Sequence, residues 1–259
     1  AMPWKNRYLG NPVLTGLLNL LFRSGVDDAH CGLRAISRQA FLDLNLSGTG
    51  MEFASEMLIK ASLKSLRIDE VPVTLAADLR GRPPHLRPWR DGWRHLRYLL
   101  MLSPTWLFGV PAAIAAVAGL LLLVLALLQY VVPGTAPQIG AYWTLLGSTL
   151  VSIGHLSLLL ALSAHLYGIR AGYRSPSLTT RLAGRIATLE SMLVSGILTL
   201  VLGLVVLGYV YVAWINRNYQ SFPDIFLPVV GTLCLTLGMQ NILGGFLMAI
   251  IGGHKAQFF

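Results

Sequence analysis

The chain has 259 residues, a formal net charge of +9 and only 12% charged residues, with a mean hydropathy of +0.63. A soluble domain of this length carries about a quarter charged residues, so the composition excludes a wholly soluble protein. Lys and Arg crowd before Trp106 and long uncharged runs follow it, which divides the chain into two domains near Ser103–Pro104.

The opening segment Ala1–Gly10 is polar and aromatic and lacks the apolar core of a signal peptide. Asn11-Pro12 predicts a helix start, with Asn11 as the N-cap and proline at the first helical position. Leu14, Leu17, Leu18, Leu21 and Phe22 then recur at helical spacing until Gly25. Cys31–Ile36 is strand-compatible, and Ser37 can cap a helix through Leu44. After the turn Ser47–Gly50, Met51–Leu66 reads as another helix. Arg67–Leu75 alternates around Ile68, Val71, Val73 and Leu75, as a strand does. The expected class of this part is α/β, with too few strands for a closed sheet.

The stretch Asp78–Arg87 holds Arg80, Arg82, His85 and Arg87 together with Pro83 and Pro84, so it reads as a loop rather than a helix. Arginines gathered near a membrane surface can take phosphate through their planar fork, or simply form a solvated basic loop. Pro88–Leu102 is amphipathic, with Trp89, Trp93, Leu96 and Leu100 on one face and Arg90, Arg94 and Arg97 around the other. That pattern predicts a helix in the headgroup layer; the alternative is a helix packed on the soluble domain.

Four apolar stretches, about Trp106–Val132, Ile139–Gly168, Ser191–Ile215 and Ile225–Gly252, are long enough to cross about 30 Å of hydrocarbon, which takes about 20 helical residues. Positive charge selects the cytoplasmic side. Arg170, Arg174, Arg181 and Arg185 lie between the second and third stretches and Lys255 near the end of the chain, whereas the first connection is uncharged. The N-terminal domain and the C-terminus are therefore expected in the cytoplasm. Within the spans, His155, His165, Gln240 and Asn241 are polar: functional groups by one reading, interhelical hydrogen bonds by another. Gly196, Gly203 and Gly208 predict close helix packing. The two cysteines, Cys31 and Cys234, fall in different domains and are expected as free thiols.

Four short runs carry a family resemblance. Asp28-Ala29-His30-Cys31-Gly32-Leu33-Arg34 resembles the D-x-x-C-G-[FL]-R element of membrane-associated family 2 glycosyltransferases. Met51-Glu52-Phe53-Ala54-Ser55-Glu56-Met57 resembles their F-E-F-x-x-E-[ML] helix, and Asp69-Glu70-Val71-Pro72-Val73 their E-[VI]-P-[VI] strand. Arg90-Asp91-Gly92-Trp93-Arg94-His95-Leu96-Arg97 is similar to the segment leading into their membrane helices. The group most resembled is the bacterial enzymes related to dolichyl- and undecaprenyl-phosphate mannose or glucose synthases, which implies a bacterial inner membrane.

The resemblance implies part of a GT-A catalytic domain over residues 1–88, its acceptor half, then an interfacial helix at 89–103 and a four-helix membrane domain at 104–259. It implies transfer of a hexosyl group from a nucleotide-sugar to a polyprenyl phosphate, with inversion. Family enzymes use a divalent metal, Mg or Mn, held by a D-x-D motif. No such motif occurs in this chain, where Asp27 and Asp28 are adjacent, so the chain alone is expected to be inactive. By match to the family, Arg7, Asn11, Arg80 and His85 would bind the acceptor phosphate, with Arg87 as an extra contact. His85 stands where the family has lysine, which would make its contact pH-dependent. Arg34 and Glu56 are the implied catalytic residues. Arg34 could equally pair with Glu52 or Glu56, and Glu56 with Lys60 at i, i+4. Partners would be the prenyl phosphate and the nucleotide-sugar, with no nucleic acid; a homo-oligomer is compatible with the pattern. An extruding polysaccharide synthase would show Q-x-x-R-W, which is absent. A non-catalytic membrane subunit or lipid-linked sugar translocator would show paired intramembrane charges, and the spans carry none.

Overall fold

The computed structural model describes residues 8–74 except 9, 30, 49 and 51, together with 88–132, 134, 140–176, 184, 187–222 and 224–254. The chain forms two compact units, Ala1–Trp106 with Gly168–Ser175, and Leu107–Tyr167 with Pro176–Phe259.

In the first unit, α1 (Asn11–Phe22) begins one residue earlier than the capping pattern predicted. Asn11 is the first helical residue, and Gly10 takes the cap position with helical dihedrals and no side-chain bond. Proline is tolerated at either early position, because the N–H it lacks has no helical partner there. The helix ends where Arg23 turns left-handed (φ 54°), its N–H donating 2.8 Å to Asn19 O. Asn19 fixes the turn that follows. Its Nδ2 donates to Val26 O at 2.8 Å, and its Oδ1 accepts from Ser24 Oγ at 2.5 Å and Val26 N at 3.2 Å. The short α2 (Arg38–Leu44) is capped by Ser37, whose Oγ accepts from Ala40 N at 3.2 Å. α3 (Glu52–Leu63) follows. Lys60 of α3 and Lys64 just after it donate to the carbonyls of Asn45 and Asp43 at the end of α2, where the helix dipole favours cations.

α4 (Pro88–Met101) packs against α1 and α3 through a face the hydrophobic pattern did not single out. His95, Leu99 and Leu102 are buried, while Trp93 is 61% exposed and Arg90, Arg94 and Arg97 are exposed. At about 100° per residue the helix therefore has three faces: a packed face, a Trp/Leu stripe and an arginine stripe. Leu18, Phe22, Val26, Ala29, Ile59, Leu99 and Leu102 form one core, with Tyr173 against it. Arg174 Nη2 donates to Leu102 O at 2.8 Å, pinning the residues after the second span to the end of α4.

The expected strands are not formed. Residues 31–36 and 67–74 carry neither helix nor strand. Alternation supplies a face, but a strand also needs a hydrogen-bonded neighbour. Val71 and Val73 stay 79% and 57% exposed, without a ladder among the described residues. The described chain is thus helical.

In the second unit, four helices are long and apolar enough to span a membrane: Thr105–Val131, Ala141–Arg170, Leu189–Asn216 and Phe226–Ile251. The first opens with a π-helical turn, Thr105–Gly109, and continues as α5 (Val110–Val131). The others are α6, α7 and α8 in chain order. Thr188 and Ser191 form a reciprocal capping box at the start of α7. α7 and α8 meet backbone to backbone. A Cβ on Gly203 would lie 2.8 Å from Gly231 O, and one on Gly238 2.7 Å from Gly196 O. α5 and α6 meet in the same way at Gly154, where a Cβ would reach Ala112 O at 2.9 Å. Gly208 has nothing within 4 Å of that position and plays no part in packing, unlike Gly196 and Gly203. Tyr130, Tyr142, Trp143, Tyr211 and Trp214 are exposed at the ends of helices where α6 and α8 begin, an arrangement suited to a membrane interface. Both cysteines are free thiols.

Candidate functional site

Polar contacts tie the four recognised runs together around α3. Arg34 reaches from the first run to the second. Its Nη1 donates to Ala54 O at 2.5 Å, its Nη2 to Ala29 O at 2.6 Å and its Nε to Cys31 O at 2.8 Å. Glu70, in the third run, accepts from the backbone N–H of Asp27 at 2.7 Å and of Asp28 at 3.3 Å, so the loop before Arg34 is held from both sides. The fourth run joins through His95, whose Nδ1 lies 3.0 Å from Ser55 Oγ, both side chains buried. Ala29 N donates to Thr15 Oγ1 at 3.2 Å, which leans the same loop on the first turns of α1. Asn11 lies one helical turn before Thr15.

Arg34 is half-buried, and desolvation lowers its pKa, opposed by the nearby charges of Cys31 and Asp28. An arginine remains protonated in that situation. The three bonds go to carbonyls, which leaves two of its five N–H groups for a further acceptor, with Asp28 already near its charge. The pairing of Arg34 with Glu56 that its sequence also allowed is not made.

Glu56 is engaged elsewhere. It is fully buried and bridges 2.7 Å to Lys60 Nζ, one turn on. It accepts from Gly48 N at 2.7 Å and from Ser47 N and Ser47 Oγ at 3.1 and 3.2 Å. Burial raises its pKa, but the bonds from Lys60, Gly48 and Ser47 outweigh that and hold the carboxyl below its ordinary value. A carboxylate so committed fixes the 47–48 turn against α3. Arg34 and Glu56 thus act on the same helix, two residues apart in their contacts. Arg7, Arg80, His85 and Arg87 lie outside the described residues.

Ser55, His95 and Glu70 were not singled out in the sequence, although each sits inside a recognised run; membership of those runs was the available signal. No group of three or more His, Cys, Asp or Glu among the described residues is placed to hold a metal ion.

Within the membrane unit, His155 Nδ1 lies 2.8 Å from Gln240 Oε1 and its Nε2 3.1 Å from Asn241 Oδ1. The interhelical reading of these polar residues is the one the structure displays.

Residues 162–252 match the model of the glycosyltransferase family 2 C-terminal transmembrane region. Among curated relatives it is similar to the low-salt glycan biosynthesis hexosyltransferase Agl6 of Haloferax volcanii, 34% identical over 252 residues, 97% of this chain and 60% of that protein. It is also similar to the glycosyltransferase AglJ of the same organism, 29% identical over 92 residues, 36% of this chain and 30% of that protein. The chain therefore spans 60% or less of the length of these relatives. No solved structure matches it significantly.

Proposed function

We propose that this chain forms the lipid-phosphate-receiving side and the membrane anchor of a hexosyltransferase that uses a nucleotide-sugar donor. The observation that carries this reading is Arg34, a half-buried guanidinium whose bonds go to three carbonyls, with Asp28 near it. A cation held this way suits two anions that must approach each other. A prenyl-phosphate oxygen would attack the anomeric carbon, forming the new C–O bond. The bond to the nucleotide diphosphate breaks with inversion, and the diphosphate leaves with the electron pair. The nucleophile is already an anion, so the step needs no strong base.

In this reading Arg34 contacts phosphate, and Glu56, through the 47–48 turn, positions the wall nearest the reaction centre. Asn11 with Arg7, Arg80, His85 and Arg87 completes the phosphate contacts. The GT-A sheet, the nucleotide site and any divalent metal belong to segments outside the described residues, and residues 67–74 supply a strand once a neighbour pairs with them. The arginine stripe of α4 faces the cytoplasmic headgroups, and both ends of this chain lie on that side.

The test is radiolabel transfer in membranes holding the full-length polypeptide that carries this chain, with a panel of sugar nucleotides and prenyl phosphate. Lipid-linked sugar that disappears in Arg34→Ala is expected. Failure of every donor to label lipid overturns the proposal.

A further inference from the structure

Three consecutive residues of α3 send polar contacts to three different places. The carbonyl of Ala54 accepts from Arg34 Nη1 at 2.5 Å, Ser55 Oγ lies 3.0 Å from His95 Nδ1 on α4, and Glu56 holds Lys60 and the 47–48 turn. Steps of about 100° along the helix separate these directions, while its backbone keeps the three residues at fixed spacing.

The middle contact differs from the packing around it. Ser55 and His95 are 2% and 6% exposed. One turn on from each stand Ile59 and Leu99, members of one apolar core. Apolar side chains at both positions would avoid the cost of desolvating a hydroxyl and an imidazole. A hydrogen bond adds direction, because it weakens steeply with angle and distance. Ile and Leu contacts tolerate small slides and rotations that this bond does not. Ser55 and His95 therefore fix the rotation and register of α4 against α3.

Both ends of that bond sit beside groups with a role in the proposed reaction. On α3 the residue before Ser55 supplies the carbonyl that anchors Arg34. On α4 the residue before His95 is Arg94, part of the exposed arginine stripe. The contacts of Glu56 to Lys60 and the 47–48 turn reach neither Arg34 nor α4.

We infer that His95 and Ser55 are positioning residues that set Arg34 for the acceptor phosphate, through the carbonyl of Ala54, at a fixed place relative to α4. This rests on the proposed function and adds two residues to it. The test uses the full-length polypeptide in nanodiscs, with dolichyl or undecaprenyl phosphate as acceptor and the UDP- or GDP-hexose that labels lipid most. KM values are read because, unlike kcat, they do not depend on the fraction of protein that is folded. Ser55→Ala and His95→Leu should raise the acceptor KM several-fold and leave the donor KM within about twofold. His95→Asn, whose amide can stand where Nδ1 stands, should restore most of the loss. Leu99→Ala removes packing on the same face and should lower the melting midpoint without moving the acceptor KM. In Arg34→Lys the three-carbonyl anchorage is already lost, so adding Ser55→Ala should change the acceptor KM no further. An unchanged acceptor KM in Ser55→Ala, an equal rise for the donor or in Leu99→Ala, no recovery in His95→Asn, or a further rise in the double variant each overturns this inference and leaves the transfer reading standing. An unsubstituted protein that labels no lipid overturns that reading, and this inference with it.

Discussion

At the scale of single residues, Glu56 shows how one side chain can join several elements. It holds Lys60 and the 47–48 turn from a fully buried position. Removing one partner of a buried ion pair leaves the other uncompensated and costs roughly 3–5 kcal/mol. Glu56→Gln should therefore lower the thermal midpoint of the detergent-solubilised protein clearly, whereas the exposed Arg67–Asp69 pair should give under about 1 kcal/mol when broken. The Glu56 carboxyl titrates below its ordinary value in the fold. Its contribution is then complete above the unfolded pKa of about 4.3 and is lost as pH falls through the folded one. A series of melts from neutral to strongly acid pH should show a decline that begins in the acid range and is flattened by Glu56→Gln. An unchanged acid profile in that variant would remove Glu56 as its source. Arg34 poses a different test, since its bonds order a loop and its charge is proposed to meet a phosphate. Arg34→Lys keeps the charge and loses the three-way anchorage. Lipid-linked sugar formation should drop sharply in Arg34→Lys, with the melting midpoint falling less than in Glu56→Gln.

Among the elements, α4 is the one whose role the helical pattern described in part. The predicted Trp/Leu face and the predicted Arg face both exist, but packing uses a third face of His95, Leu99 and Leu102. Leu99 is 2% exposed, so Leu99→Ala should destabilise the first unit by about 2–5 kcal/mol. Trp93, left outside, should sit against headgroups. The difference in fluorescence between the protein and Trp93→Phe in brominated-lipid vesicles should show a strongly quenched tryptophan, and an unquenched one would put that face in water. In the membrane unit the decisive elements are α7 and α8. Their backbones approach so closely at Gly203 and Gly238 that no side chain fits between them. Gly203→Leu should separate the pair and reduce the amount of folded protein recovered from membranes. Gly208→Leu, with open space around it, should leave recovery unchanged.

For the whole molecule, the membrane part was readable because hydrocarbon imposes length and apolarity on every span. The expected stretches and the observed helices agree closely at both ends. The first unit was readable where local chemistry decides, as at the Ser37 cap and the end of α1 beyond Phe22. It was misread where partners decide. Residues 31–36 and 67–74 have strand-like sequences without a ladder, since pairing depends on chain brought from elsewhere. If the charge asymmetry orients the spans as expected, a reporter fused after Phe259 should be active only in the cytoplasm, and one inserted at Gly134 only outside.

By itself the sequence determined that this chain has four helices long and apolar enough to cross a membrane and four runs that resemble family 2 glycosyltransferases, because apolar length and short motifs are local properties. Only the tertiary structure decided that those runs meet around α3, that Arg34 is anchored on carbonyls while Glu56 is committed to Lys60, and that α4 packs through His95 and Leu99. Each of these depends on which atoms come within hydrogen-bond or packing distance, and no spacing along the chain fixes that.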